Sequence, residues 1–161
     1  MRCSSTTPMM PERPVRSEAA RGSGPVYPSS LAAVVTRARV AGETIAEARR
    51  RFGAEVIVVE TAYPFTNEGV DEMPNLLGPD TLIDQYPATP AGQLAYLVDL
   101  TQLVVDHGGV GVVYWEPAWV STGCKTRWGT GSSWENAAWF DLKDHEALPA
   151  FEFLGREYRP R

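Results

Sequence analysis

Two glutamates and a cluster of indoles are the residues of this chain best suited to chemistry. Glu60 closes the apolar run Glu55-Val56-Ile57-Val58-Val59-Glu60, and Glu116 closes Gly109-Val110-Gly111-Val112-Val113-Tyr114-Trp115-Glu116. A proline, Pro64 or Pro117, follows each. A carboxylate at the carboxyl end of a buried strand can be held at a fixed distance from a sugar ring or a metal, and in α/β sheets and barrels that end is where chemistry sits. All five Trp lie between positions 115 and 139. Trp115, Trp119, Trp128 and Trp134 fall in one loop region too small to bury them, and large rings with hydrogen-bonding edges suit the C–H faces of sugars. Two carboxylates with aromatics nearby point to glycoside hydrolysis, in which one acid protonates the leaving oxygen and another attacks the anomeric carbon or activates water. The blander reading is that Glu60 begins a loop and faces water. For Glu116 the choice lies between binding a substrate hydroxyl and supporting Tyr63 or another side chain of the site.

Other chemistries lack their residues. There is no Ser-His-Asp order, and His107 and His145 are the two imidazoles. Gly109-Val110-Gly111 precedes a strand, not a helix, so it is not a dinucleotide loop. Cys3 and Cys124 have no zinc-like spacing. Asn67, Glu68, Asp71, Glu72, Asn75, Asp80 and Asp84 lie in the connection from Thr61 to Ala88 without a regular calcium-ligand spacing, and read as a solvated acidic loop.

The elements that position these residues follow from periodicity. Val56 to Val59, entered from Gly53 and left through Pro64, read as a short strand covered on both faces, as in a parallel sheet. Leu31, Val34, Ala38, Ala41, Ile45, Ala48 and Phe52 recur at threes and fours and predict a helix, which Gly42 breaks into two pieces. Thr89-Pro90 opens a second helix with an N-cap hydroxyl and a proline at its first position. Leu94, Leu97, Thr101 and Val104 form its buried stripe, and His107 with Gly108-Gly109 closes it. The order is therefore strand, helix, strand. Asn136 to Asp141 reads as short and extended, and Glu146 to Leu154 as a last helix with Leu148, Phe151 and Leu154 on one side.

At 161 residues the chain suits one domain. Residues 1–30, rich in Ser, Pro, Arg and Thr, lack an apolar cluster and read as a disordered or poorly packed tail, leaving 31–161 as the folded part. A net charge of −5 argues against a nucleic-acid or polybasic membrane surface. No run approaches the length of a membrane span, and the first residues lack the apolar core of a secretory signal.

Glu60-Thr61-Ala62-Tyr63-Pro64, Tyr86-Pro87-Ala88-Thr89-Pro90-Ala91-Gly92-Gln93, Tyr114-Trp115-Glu116-Pro117-Ala118-Trp119, Trp134-Glu135-Asn136 and Phe140-Asp141 resemble, in order and spacing, the closing portion of the arabinogalactan endo-β-1,4-galactanases, glycoside hydrolase family 53. The resemblance runs from about Leu31 to Leu154. It implies a secreted (β/α)₈ barrel enzyme of the retaining type that cuts β-1,4-galactan in pectin side chains. It further implies Glu60 as the nucleophile ending strand seven, and strand eight ending at Tyr114 to Glu116. Trp115 would precede a non-proline cis peptide, and Tyr63, Glu116, Trp119 and Asn136 would border the substrate cleft.

The acid/base glutamate of strand four has no counterpart here, because a whole barrel needs about 250 residues. Val26-Tyr27-Pro28 is at most a remnant of strand six. The expected architecture is thus the C-terminal part of a barrel, strands seven and eight with their helices, associating through exposed edges. No cofactor is expected: bacterial members of the family hold a calcium ion between the loops after strands seven and eight, but here both loops look short and neither shows an evident ligand set. Two other readings stand beside catalysis: a galactan-binding module without turnover, and an inactive truncated gene product.

Overall fold

The computed structural model describes residues 31–161, with side chains from Arg39 onward. The expected tail, the remnant at Val26 to Pro28 and the side chains of Leu31, Val34 and Ala38 lie outside the described residues.

The order is α1 (Leu31–Phe52), β1 (Ile57–Thr61), a 3-10 turn (Pro79–Thr81), α2 (Pro90–Asp106), β2 (Gly111–Tyr114), a small hairpin of β3 (Lys125–Thr126) and β4 (Gly129–Thr130), and 3-10 turns at Glu135–Ala137 and Pro149–Gly155. β1 and β2 pair in parallel, joined through α2, which is the crossover that parallel strands require. The helix α2 begins as its sequence dictates. Thr89 is extended and its hydroxyl accepts from Gly92 N at 3.0 Å, with Pro90 next in line. His107 caps the other end, its Nδ1 2.9 Å from the Leu103 carbonyl oxygen.

The apolar stripe of α2 packs inward at Leu97, Thr101 and Val104, and the core is built from Leu97, Tyr114, Trp139, Ala150 and Phe153. Four expectations need correction. First, α1 is one continuous helix. Gly42 is buried instead of breaking it, because the imidazole of His107 fills the space where a Cβ would stand, with Nε2 2.4 Å from that position. Second, residues 136–141 are not a strand: Glu135–Ala137 turn in a 3-10 helix, and Phe140 makes a single bridge to Ala147. Third, the last helix is a 3-10 helix that waits for Pro149, and its period of three buries Ala150 and Phe153 while Phe151 and Leu154 stay exposed.

Fourth, the parallel strands are covered on one face only. Val58 pairs with Val112, which packs on the core, and Thr61 pairs with Tyr114. The opposite face carries Ile57, Val59 and Val113, with Val59 67% exposed, because among the described residues no layer lies over it. No described helix is long and apolar enough to cross a membrane.

Gly92 has a stricter task than helix propensity. A Cβ there would stand 1.9 Å from the Pro87 carbonyl oxygen, which is backbone and cannot swing aside. Gly92→Ala is expected to cost about 2–3 kcal/mol by overpacking. Chemical denaturation of the two proteins checks this, and an unchanged midpoint would show that the Pro87 turn can yield.

Candidate active site

Glu60 reaches its position through an irregularity in β1. Between the pairs Val58 with Val112 and Thr61 with Tyr114, two residues of β1 face one of β2. Both flanking residues look toward α2: Val58 shares its face with Val112, and the Thr61 hydroxyl lies 2.8 Å from the hydroxyl of Tyr96. In a regular strand Glu60 would alternate onto the face of Val58 and enter the helix layer. The extra residue releases it, and Val59 and Glu60 are both exposed. The Glu60 carboxylate has no hydrogen-bond or ion-pair partner among the described residues.

The end of β2 is tied to the same place. Trp115 N–H donates to the Thr61 carbonyl at 2.8 Å, so the pairing of the two strands runs one residue past Tyr114. Trp115 follows the buried Tyr114 and stands on the bare face, 38% exposed. Its neighbour Glu116 takes φ 52°, a left-handed conformation uncommon for a residue with a Cβ. The peptide bonds of the described residues are all trans, so the cis bond expected after Trp115 is absent; the chain changes direction through the φ of Glu116 instead. Trp119 N–H then donates to the Glu116 carbonyl at 3.2 Å. Glu116, Ala118, Trp119, Thr126, Arg127 and Trp128 line a shallow groove of about 450 Å³.

Tyr63 and Asn136 are buried and hydrogen-bonded within the chain. Tyr63 is 3% exposed, stacks on Tyr96 with ring centroids 4.4 Å apart, and donates its hydroxyl proton to the Tyr86 carbonyl at 2.6 Å. The Asn136 amide donates to the carbonyls of Leu77 at 2.7 Å and Thr66 at 3.1 Å. Both hold loops. The motifs that contain them are rich in groups that look reactive, but burial turns those groups inward.

Two residues without an assigned task in the sequence prove central. Gln93, fully buried on α2, directs its side-chain NH₂ at the carbonyls of Tyr63 (2.8 Å), Ala137 (3.2 Å) and Ala138 (3.2 Å) and at the Tyr114 hydroxyl (3.3 Å). The Tyr114 hydroxyl in turn accepts from Tyr63 N at 3.0 Å and donates to the Ala137 carbonyl at 2.7 Å. Burial pushes this phenol up to about 12, which keeps the proton available for donation. The other residue is Glu135, fully buried, whose carboxylate accepts from Val70 N at 2.8 Å and so staples the loop after β2 to the loop after β1. For Gln93 the signal was a polar residue in the first turn of a helix whose neighbours Ala91, Gly92, Leu94 and Ala95 are not polar.

Burial raises the pKa of Glu135, and the charge of Asp71 adds to this, against the Val70 N–H bond. For Asp71 burial pushes upward too, but bonds from Ser121, Ser132 N and Met73 N together outweigh it and hold the carboxyl low. The carboxylates between these loops are occupied mainly by protein donors. Asp71 spends both oxygens on those three donors, Glu135 spends one on Val70, and no three of His, Cys, Asp and Glu converge among the described residues.

A carboxylate and an indole thus end adjacent parallel strands of a β-α-β unit, the end at which barrel enzymes carry their chemistry. The model of glycosyl hydrolase family 53 matches residues 35–154, and the chain belongs to that family. It is similar to an arabinogalactan endo-β-1,4-galactanase of Cellvibrio japonicus, 51% identical over 118 residues that make up 73% of this chain and 31% of that protein. An endo-β-1,4-galactanase of Bacillus subtilis is 36% identical over 105 residues, 58% of this chain and 24% of the relative. The structure of the family 53 catalytic domain of Ignisphaera aggregans superposes with a TM-score of 0.68 at 28% identity, covering 76% of this chain and 35% of that one. The chain thus spans about a third or less of the length of these relatives. Its α/β architecture is that of part of a (β/α)₈ barrel.

The raised pKa of Glu135 fixes the sign of a pH effect. A carboxyl whose folded value exceeds its ordinary 4.5 stabilises the fold fully below that pH, and the contribution is lost as pH rises through the folded value. Glu135→Gln keeps an acceptor for Val70 N and cannot ionise. The stability of Glu135→Gln relative to the parent is therefore expected to improve as pH rises from about 4.5 toward neutrality, read from urea midpoints across pH. A constant difference between the two proteins would show that Glu135 does not titrate there.

Proposed function

We propose that this chain serves endo-acting hydrolysis of β-1,4-galactan by a retaining mechanism, supplying the nucleophile Glu60 and the aromatic wall of the cleft. The observation that supports this reading is the bulge in β1, at which Glu60 is exposed and without a partner among the described residues near the carboxyl end of the sheet.

In the step assigned to Glu60, a carboxylate oxygen attacks the anomeric carbon of a galactosyl unit. The bond from that carbon to the glycosidic oxygen breaks, and the leaving oxygen takes a proton from a general acid. Water then attacks the galactosyl ester, releasing the sugar with its original configuration and restoring Glu60. Retention requires the two carboxyl groups to stand about 5 Å apart. The reading assigns the acid/base to a carboxyl beyond the described residues. Trp115 packs on the sugar next to the cleaved bond, and Glu116 and Trp119 contact the chain further along.

The nucleophile can be tested apart from the acid. A 2-deoxy-2-fluoro-β-galactobioside with a dinitrophenolate leaving group needs no protonation to depart, and its fluorine slows hydrolysis of the ester. Incubation should add one fluorogalactobiosyl unit to the peptide containing Glu60, as read by mass spectrometry, and Glu60→Gln should remain unlabelled. Labelling elsewhere, or none under conditions where galactan oligosaccharides bind, overturns the nucleophile assignment and leaves a galactan-binding module as the reading.

A further inference from the structure

The residue after Glu60 is fastened from the helix side as well as from the sheet. Thr61 meets β2 through its pairing with Tyr114 and through its carbonyl, which accepts from Trp115 N at 2.8 Å. Its hydroxyl lies 2.8 Å from the hydroxyl of Tyr96 on α2. The Tyr96 ring has little freedom. It stacks on Tyr63 with centroids 4.4 Å apart and an interplanar angle of 23°, and meets Tyr86 edge to face at 5.7 Å and 82°. Tyr86 is itself fixed to α2, donating its hydroxyl proton to Asp99 Oδ2 at 2.9 Å. Three phenols thus form a pillar held by a capped helix, and one of their hydroxyls meets the strand residue that closes the bulge.

That contact distinguishes two registers of β1. In a regular ladder Val59 would pair with Val113, Glu60 with Tyr114 and Thr61 with Trp115, so Thr61 would turn to the bare face and Glu60 toward α2. In the observed register Thr61 pairs with Tyr114, its hydroxyl reaches Tyr96, and Glu60 is exposed. The bond between the two hydroxyls exists only in the second. We propose that Tyr96 is a positioning residue for Glu60, its phenol hydroxyl acting through Thr61 to hold β1 in the register that turns the acid outward; as a statement about the attacking acid, it rests on the reading above. Tyr96→Phe keeps the ring stack and leaves the Thr61 hydroxyl without this partner, and Thr61→Val does the converse. A carboxylate that spends part of its time in the other register is out of line with the anomeric carbon, so attack slows while sugar binding, which uses other groups, does not.

The test separates position from stability. The full chain and its variants Tyr96→Phe, Thr61→Val and Thr61→Ser are treated with a water-soluble carbodiimide and glycine ethyl ester. Coupling to Glu60 is read by mass spectrometry against Glu116, an exposed carboxyl outside β1. Tyr96→Phe and Thr61→Val should each lower coupling at Glu60 about fivefold, the factor expected for one lost hydrogen bond, and leave Glu116 unchanged. Thr61→Ser should keep the parent value. Phe153→Leu, which loosens the core away from the pillar, should lose stability in urea without changing coupling at Glu60. Labelling by the fluorogalactobioside should follow the same order, its maximal rate falling about fivefold in Tyr96→Phe while the half-saturating concentration changes less than about twofold. Unchanged coupling in Tyr96→Phe and Thr61→Val, or an equal fall in Phe153→Leu, overturns the positioning role. Coupling needs no sugar, so the two readings fail separately. A Glu60 that couples as expected across the variants but is never labelled loses only its place as nucleophile, and a labelled Glu60 with unchanged coupling in both variants rejects only the assignment of Tyr96.

Discussion

The structure depends on a buried amide meeting a buried phenol. Gln93 and Tyr114 come from different elements, yet their polar groups jointly serve the backbone just past β1, at Tyr63, and the backbone where the Glu135–Ala137 turn closes. Each of those backbone groups is out of reach of the regular ladder, and each would be costly to leave unpaired away from water. The two side chains convert that cost into a constraint. Because the Tyr63 carbonyl and amide are both held, the segment carrying Glu60 cannot drift from the segment carrying Trp115. Gln93 has four acceptors within reach and two hydrogens, so the arrangement shares its bonds rather than saturating each acceptor.

Around that point the loops are joined by polar contacts that cross from one to the other. Glu135 to Val70 N, Asn136 to Thr66 and Leu77, and Asp71 to Ser121 and Ser132 link the connection after β1 with the connection after β2. They make one unit of two stretches that are far apart in sequence. Glu116, Arg127 and Trp128, all exposed to solvent, stand on this unit and on the hairpin that leaves it.

Much of the frame was legible in the chain. Thr89-Pro90 and His107 marked the ends of α2, and the threes and fours between Leu94 and Val104 marked its inner face, because these features act within a turn of helix. The strand-helix-strand order and the carboxylates at the strand ends followed in the same way. The family was legible from five short motifs in order. What escaped was whatever depends on a partner distant in sequence. Tyr63 and Asn136 appear reactive by type, and only the proximity of Tyr86, Leu77 and Thr66 shows that their polar groups are engaged. Gly42 suggested a break because the imidazole that fills its space comes from a helix 65 residues later. The last turn was given the wrong period, since a run as apolar as Ala147, Leu148, Ala150, Phe151, Phe153 and Leu154 fits 3.0 and 3.6 nearly equally until Pro149 fixes the start.

The bulge in β1 makes the site a defect in an otherwise regular pattern, and this sets stability against use. Removing one residue there would close the ladder with Val113 and improve the strand by every local measure. The same repair would swing the carboxylate through half a turn, out of solvent and toward the phenols of the α2 layer, where ionisation is penalised. Any attempt to harden this protein by regularising its strands therefore acts against the feature that keeps this carboxylate in solvent, and the better-paired sheet would come with an acid turned inward.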